Sequence, residues 1–160
     1  MFDQLTLSGN IQVQPLSVSQ SSTYKDRSAD QAVDGDLTTT SHTLCAWNTI
    51  LWYRMKFDAV YCFTEVVIVQ SHWEKHNADR MDGIKVFVVN REKKTESLCG
   101  VLKVSDDLTI EGQTYRIPCD LKCGDEVKLT LRHDKGRYHV KACIHMKEIT
   151  SFGKGNWFTV

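Results

Sequence analysis

The apolar residues of this chain alternate; they do not recur at helical spacing, and that restricts what it can fold into. Val127, Leu129 and Leu131 share one face against Lys128, Thr130 and Arg132, while Val140, Ala142, Ile144 and Met146 oppose His139, Lys141, Cys143 and His145. Residues 11–16, 50–57, 63–70, 83–90, 114–119, 126–132 and 138–149 are short runs rich in Val, Ile, Phe, Tyr and Thr, and each reads as a strand. No window of about a dozen residues holds a 3.6-residue period. Asp34-Gly35, Asp82-Gly83, Glu111-Gly112, Cys123-Gly124-Asp125 and Lys135-Gly136 supply turn chemistry between the runs. The expected fold is all-β, an antiparallel jelly-roll β-sandwich with long loops gathered at one end.

The 160 residues suit one domain, enough to bury roughly two thirds of the unfolded surface. The pattern places it over residues 1–150, with a loose tail over 151–160 whose Trp157 and Phe158 can pack back on a face. Lys plus Arg and Asp plus Glu number 20 each, so no net field draws in nucleic acid or an anionic membrane. No apolar run approaches the roughly 20 residues of a membrane span. Met1-Phe2-Asp3-Gln4 lacks a basic then apolar leader, as expected of a processed chain or a module of a longer one. Six cysteines, with only Cys119 and Cys123 close together, favour three disulfides over a zinc site, and hence a secreted or extracellular setting. Their number alone leaves the pairing open.

One stretch stands apart. Residues 18–52 are too polar to bury a core, yet they hold Gln20-Ser21-Ser22-Thr23-Tyr24, Ala32-Val33-Asp34-Gly35-Asp36 and Ser41-His42-Thr43 before the strand at Trp52-Tyr53-Arg54. Short oxygen-bearing residues around one Gly fold back by hydrogen bonds to their own backbone, and the same oxygens can face a hard cation. An EF-hand is excluded, because Cys45 stands where the loop's twelfth residue would have to be Glu. Catalysis finds no support. There is no Gly-x-Ser-x-Gly elbow, Walker loop, dinucleotide fingerprint or His-Glu-x-x-His helix, and no evident pair of facing carboxylates for glycoside hydrolysis. The six histidines fit surface and cross-strand positions in a sandwich.

These motifs, followed by Arg80-Met81-Asp82-Gly83 and the strand Lys85-Val86-Phe87-Val88, resemble the F-type lectin (fucolectin) family over about residues 9–150. The resemblance implies a galactose-binding-domain type of jelly roll, a structural calcium ion under the first long loop, and a shallow fucose pocket at one end of the barrel. It implies calcium ligands at Gln31, Asp34 and Asp36, with a further one from the Thr39 to Ser41 segment. The last family ligands come from a Cys-Glu pair, which here is Cys143-Ile144. That departure removes one charged ligand; His145 is a poor replacement, and Glu148 serves only with a local shift.

Family members grip fucose with one His and two Arg, a fork geometry that Lys or Ser cannot reproduce. Arg80 stands at the second Arg position. At the first, the chain has Ser71-His72-Trp73. The family His corresponds to His42 or, aligned through Cys45, to Trp47. The implied rim is Trp47, His72, Trp73, His76 and Arg80, in which Trp stacks on a sugar face while Arg and His donate hydrogen bonds. The same residue types also mark protein hot spots. In a purely structural reading, Trp73 plugs the sandwich end and Arg80 pairs with Asp79, Asp82 or Glu74. The resemblance further implies the disulfides Cys45–Cys143 and Cys99–Cys119, leaving Cys62 with Cys123. The expected function is non-catalytic binding of a glycan or glycoprotein with altered specificity; the alternative is a lectin fold reused to recognise a protein receptor.

Overall fold

The computed structural model describes residues 10–71, 75–105 and 113–155. Its strands are β1 (Ile11–Val13), β2 (Ser17–Gln20), β3 (Ser41–His42), β4 (Leu51–Gln70), β5 (Lys85–Asn90), β6 (Thr95–Val101), β7 (Thr114–Leu131) and β8 (His145–Gly155). They are joined in the order β1-β8-β4-β7-β5-β6, with β2 added to β4 and β3 to β8. Every pair is antiparallel. Helix among the described residues is confined to single turns at Ala29–Ala32, Lys75–Ala78 and Asp79–Met81.

The long ladder of β4 on β7 organises the molecule. Its register breaks between Lys56 and Tyr61, and the two sides of the break have different neighbours. The first half of β4 also pairs with β2, and the second half with β8. β5 joins only the later half of β7, from Lys85↔Thr130 to Val89↔Glu126. The ladder therefore turns a corner and contributes to both layers of a jelly-roll sandwich, as strands do when a bulge lets them switch sheets. At the corner the rings of Phe57, Tyr61 and Phe63 lie 5.1–6.3 Å apart, centroid to centroid. Backbones meet so closely there that a Cβ on Gly124 would lie 2.3 Å from the Val89 carbonyl oxygen, and one on Gly153 2.7 Å from that of Cys62.

Between the layers lies one core. Tyr53, Met55, Phe63, Val66 and Ile68 of β4, Val86 and Val88 of β5, and Val127 and Leu129 of β7 are all buried. Each such aliphatic or aromatic side chain contributes about 1.5–3 kcal/mol on removal from water. Turning the corner also brings Leu51 and Gln70, the two ends of β4, to the same end of the sandwich. The described loop residues of 27–50, 75–83 and 132–144 gather there.

Sequence and structure differ in three places. The runs 50–57 and 63–70 are a single strand, as are 114–119 and 126–132, because a bend, and not a turn, separates them. The run 138–149 becomes strand only at His145; before it, Ala142 makes an isolated bridge to Ala46, and 142–146 are buried on both faces. The expected loose tail is instead laddered as far as Gly155, which pairs with Tyr61, and Ser151 is buried. Trp157 and Phe158 lie outside the described residues. All three disulfides are those the resemblance implied: Cys45–Cys143, Cys62–Cys123 and Cys99–Cys119.

Candidate functional site

Polar side chains bonded to backbone give the loop end its shape. Ser21 Oγ accepts from Trp52 N at 3.1 Å and Ser22 Oγ from Leu44 N at 2.9 Å, fixing both ends of the first long loop. Gln20 Nε2 donates to Arg27 O (3.0 Å), and the buried Tyr53 hydroxyl donates to Ala29 O (2.8 Å). His42 is buried in β3. Its Nδ1 donates to Thr43 O at 2.6 Å, and its ring lies between Tyr24 and His145, with centroids 5.1 and 5.5 Å away. His145, fully buried, meets Ser71 Oγ at 2.8 Å and donates through Nε2 to Asn77 O at 3.0 Å. His42 thus forms part of the wall behind the rim.

Four of the six residues assigned to calcium come together. The Thr39 hydroxyl lies 3.2 Å from Gln31 O, 2.7 Å from Asp34 Oδ2 and 2.9 Å from Asp36 O. Asp34 Oδ1 accepts from Asp36 N, which closes the turn around Gly35 at φ +74°. Ser41 stands in β3, its Oγ 3.5 Å from Met146 O. Cys143 N donates to Arg80 O at 3.0 Å. Glu148, in β8, lies close to the Asp34 turn. Burial and the nearby Asp34 carboxylate raise its pKa above the ordinary carboxylate range, opposed by a hydrogen bond from the Gly35 backbone, and its Oε2 is buried without a partner. An orphaned buried carboxylate oxygen beside a second carboxylate fits a cation. Among the described residues no three His, Cys, Asp or Glu side chains form a metal cage, so carbonyl and hydroxyl oxygens would make up most of such a ligand set, as hard cations accept.

The resemblance places Arg80 in the rim. It sits in the turn Asp79–Met81, half-buried, with Nη1 3.4 Å from Cys45 Sγ and 3.8 Å from Cys143 Sγ. Its Nε is buried without a hydrogen-bond partner. The purely structural pairing does not occur with either described acid. Asp79 is taken by Lys75 and by His139 Nε2 at 3.1 Å, and Asp82 Oδ1 accepts from Val104 N at 2.9 Å. Trp47 lies two residues beyond Cys45, whose sulfur Arg80 meets. Trp47 is half-buried, and its carbonyl accepts from Thr49 Oγ1. His76 is exposed on the helical turn just before Arg80. His72, Trp73 and Glu74 lie outside the described residues.

Sequence reasoning missed His133. It is fully buried, with Nδ1 2.9 Å from Val140 O and Nε2 2.7 Å from Asp82 O, so one ring ties the loop after β7 to the turn that carries Arg80. It continues the inward parity of Val127, Leu129 and Leu131, but it lies two residues beyond the end of β7 and its polar ring gave no apolar signal. The local spacing of Asp79, Lys75 and His139 gave no signal either, since two of them meet only through the fold.

No protein-family model matches the sequence, and no curated protein does. Solved structures do. An F-type lectin from striped bass (Morone saxatilis) serum superposes with a TM-score of 0.69 at 17% identity, over 87% of this chain and 45% of that one. The fold is that of the F-type lectins. This lectin-like chain spans under half the length of the striped bass structure. The lectin domain of lectinolysin, solved with the Lewis b antigen, gives a TM-score of 0.69 at 18% identity, over 87% of this chain and 93% of that one. A family 32 carbohydrate-binding module from C. perfringens NanJ, solved with galactose, gives 0.67 at 14% identity, over 90% and 99%. All three are named as lectins or carbohydrate-binding modules.

Proposed function

We propose that this chain is an extracellular, non-catalytic lectin-like module that binds a glycan through the rim around Arg80, with a specificity shifted away from fucose. The observation that carries this reading is the state of the Arg80 guanidinium: half-buried, bound to no described carboxylate, and with a buried Nε that nothing satisfies. A buried donor left unpaired costs about 1–3 kcal/mol, a cost that ligand hydroxyls would remove. Trp47, two residues beyond the Cys45 that Arg80 meets, and His76, four residues before Arg80, would add a stacking face and a ring donor. The printed names of the structural neighbours support a sugar as ligand: Lewis b, galactose and, for a Streptococcus pneumoniae module at 17% identity, fucose. Specificity differs from the fucose-binding pattern because Ser71-His72-Trp73 replaces the first Arg and because His42 is committed to Thr43 and to ring stacking.

Calcium is the proposed brace of the first loop. Gln31, Asp34, Asp36 and Thr39 would hold it, with Glu148 in place of the Glu that Ile144 displaces. Its contribution would be to neutralise Asp34 and Glu148 and to fix the loop that precedes β3.

A second reading, protein recognition by the same loops, draws on the exposure of Leu44 (51%) and Ile50 (58%) on either side of Trp47. A glycan array run with calcium separates the two. Saturable binding to an array member, lost in Arg80→Ala with the fold intact, supports the glycan reading. Silence across the array overturns it and favours a protein ligand.

A further inference from the structure

A groove of about 420 Å³ runs along the outer face of β5 and the end of β7, and neither Arg80 nor the Cys45–Cys143 bridge lines it. Alternation creates it. Val86 and Val88 point into the core, so Lys85 and Phe87 point outward, opposite Thr130 and Lys128 of β7. The volume falls within the roughly 300–1,000 Å³ of small-ligand sites.

The charges on this face do not cancel. Four cations and two carboxylates line the groove. Lys128 is paired with Glu96, and Arg132 with Asp134 at 2.7 Å. Lys85 and Arg137 have no acidic partner among the described residues, which leaves two uncommitted cations facing one cleft. The aromatic walls are fixed in place. Tyr138 stacks flat on the buried His133, with centroids 3.9 Å apart and planes 2° apart. Its loop is closed by Arg137 N and Tyr138 N, both donating to Asp134 O at 3.1 Å. Gly83, at φ +89°, leaves the Tyr138 hydroxyl its space; a Cβ there would lie 3.3 Å from that oxygen. Phe87 forms the other wall, under the Lys128 ammonium at 5.5 Å.

We propose that this groove is a second binding site, separate from the Arg80 rim, and that it takes an acidic saccharide bearing carboxylate or sulfate groups. A pyranose presents an apolar C–H face to Tyr138 and Phe87, hydroxyls to Thr130, and anionic substituents to Lys85 and Arg137, where charge-assisted hydrogen bonds are the stronger kind. A bare anion would leave the aromatic walls unused, and a neutral sugar would leave the two cations unused. The choice of a saccharide over other ringed anions rests on the glycan-binding reading of this fold; the site itself requires neither Arg80 nor calcium.

The test is a calorimetric and NMR titration of the full chain with a chondroitin-sulfate tetrasaccharide, a neutral N-acetylglucosamine tetramer and a short poly-glutamate peptide. The sulfated sugar should bind, with shifts confined to β5, the end of β7 and residues 134–138, and should weaken as salt rises. Lys85→Ala/Arg137→Ala, two exposed positions whose loss leaves the melting temperature unchanged, should weaken it about tenfold or more. Arg80→Ala should leave it unchanged. The proposal is overturned if the sulfated sugar does not bind, if the double variant binds it equally well, or if poly-glutamate binds as tightly. Loss of binding in Arg80→Ala alone would also overturn it, while sparing the rim reading.

Discussion

At the corner where β4 and β7 pass between layers, Phe57, Tyr61 and Phe63 pack ring against ring, and Gly124 and Gly153 let backbones touch. The opposite end buries Ser41, His42, Thr43, Asp79, His133 and His145 instead. Each of these six has a hydrogen-bond partner, such as Thr43 Oγ1 accepting from Ile144 N at 3.0 Å. Gln20 Oε1, Gln70 Nε2, Arg80 Nε and, beside the Asp34 turn, Glu148 Oε2 break that pattern at the loop end. Apolar burial closes one end without specifying a partner. At the other, buried polar groups specify loop geometry, and two of those left unsatisfied, Arg80 Nε and Glu148 Oε2, lie at the proposed glycan and calcium sites.

The largest effect should come from cutting the tie at the loop end. Removing Cys45–Cys143, at a sequence separation of 98, releases about 4.7 kcal/mol of loop-closure stabilisation, against about 3.3 for Cys99–Cys119, at a separation of 20. Urea unfolding of the Cys→Ser pairs should rank them in that order, and an equal loss would break the comparison. Next comes the corner. Gly124→Ala forces a Cβ against the Val89 backbone and should destabilise by up to about 3 kcal/mol, with ligand affinity unchanged.

Calcium sharpens the comparison from the other side. At a hundredfold excess over its dissociation constant it should add about 2.7 kcal/mol, read as a rise in melting temperature. The pH dependence has a definite sign. A carboxyl whose pKa is raised by folding holds its proton more firmly in the folded chain, so without calcium Glu148 lowers stability as pH rises from the ordinary carboxylate range through its raised value. Calcium binds the ionised form, so its stabilisation should grow over that same interval, and Glu148→Gln should flatten both trends. The smallest stability effect belongs to Arg80→Ala, within about 1 kcal/mol, since it removes a half-buried charge that has no acidic partner. Its effect should appear in glycan affinity.

The sequence revealed the two ends unequally. Alternation exposed the layers because Val127, Leu129 and Leu131 point inward while their neighbours face water, and the turn at Asp34-Gly35 showed in its residue types. β2 and β6 escaped notice because they are edge strands, Ser-Val-Ser-Gln and Thr-Glu-Ser-Leu-Cys-Gly-Val, held by backbone pairing with little burial. The continuity of β4 was hidden by the polar Asp58 in its bend. At the loop end, Arg80 could be placed through its family motif, but its packing on a disulfide could not, because Cys45 and Cys143 reach it from distant parts of the chain. Glu148 was weighed in the sequence, but its buried, unpartnered Oε2 could not be read there, and the carbonyls of Asp82 and Val140 that hold His133 come from other loops.

The account stands most directly on where a glycan binds. Chemical-shift mapping with the best glycan from the array should move the amides of residues 45–48 and 75–82 and leave 57–63 and 123–125 unmoved. A footprint centred on the corner, or one that persists unchanged in Arg80→Ala, would contradict it.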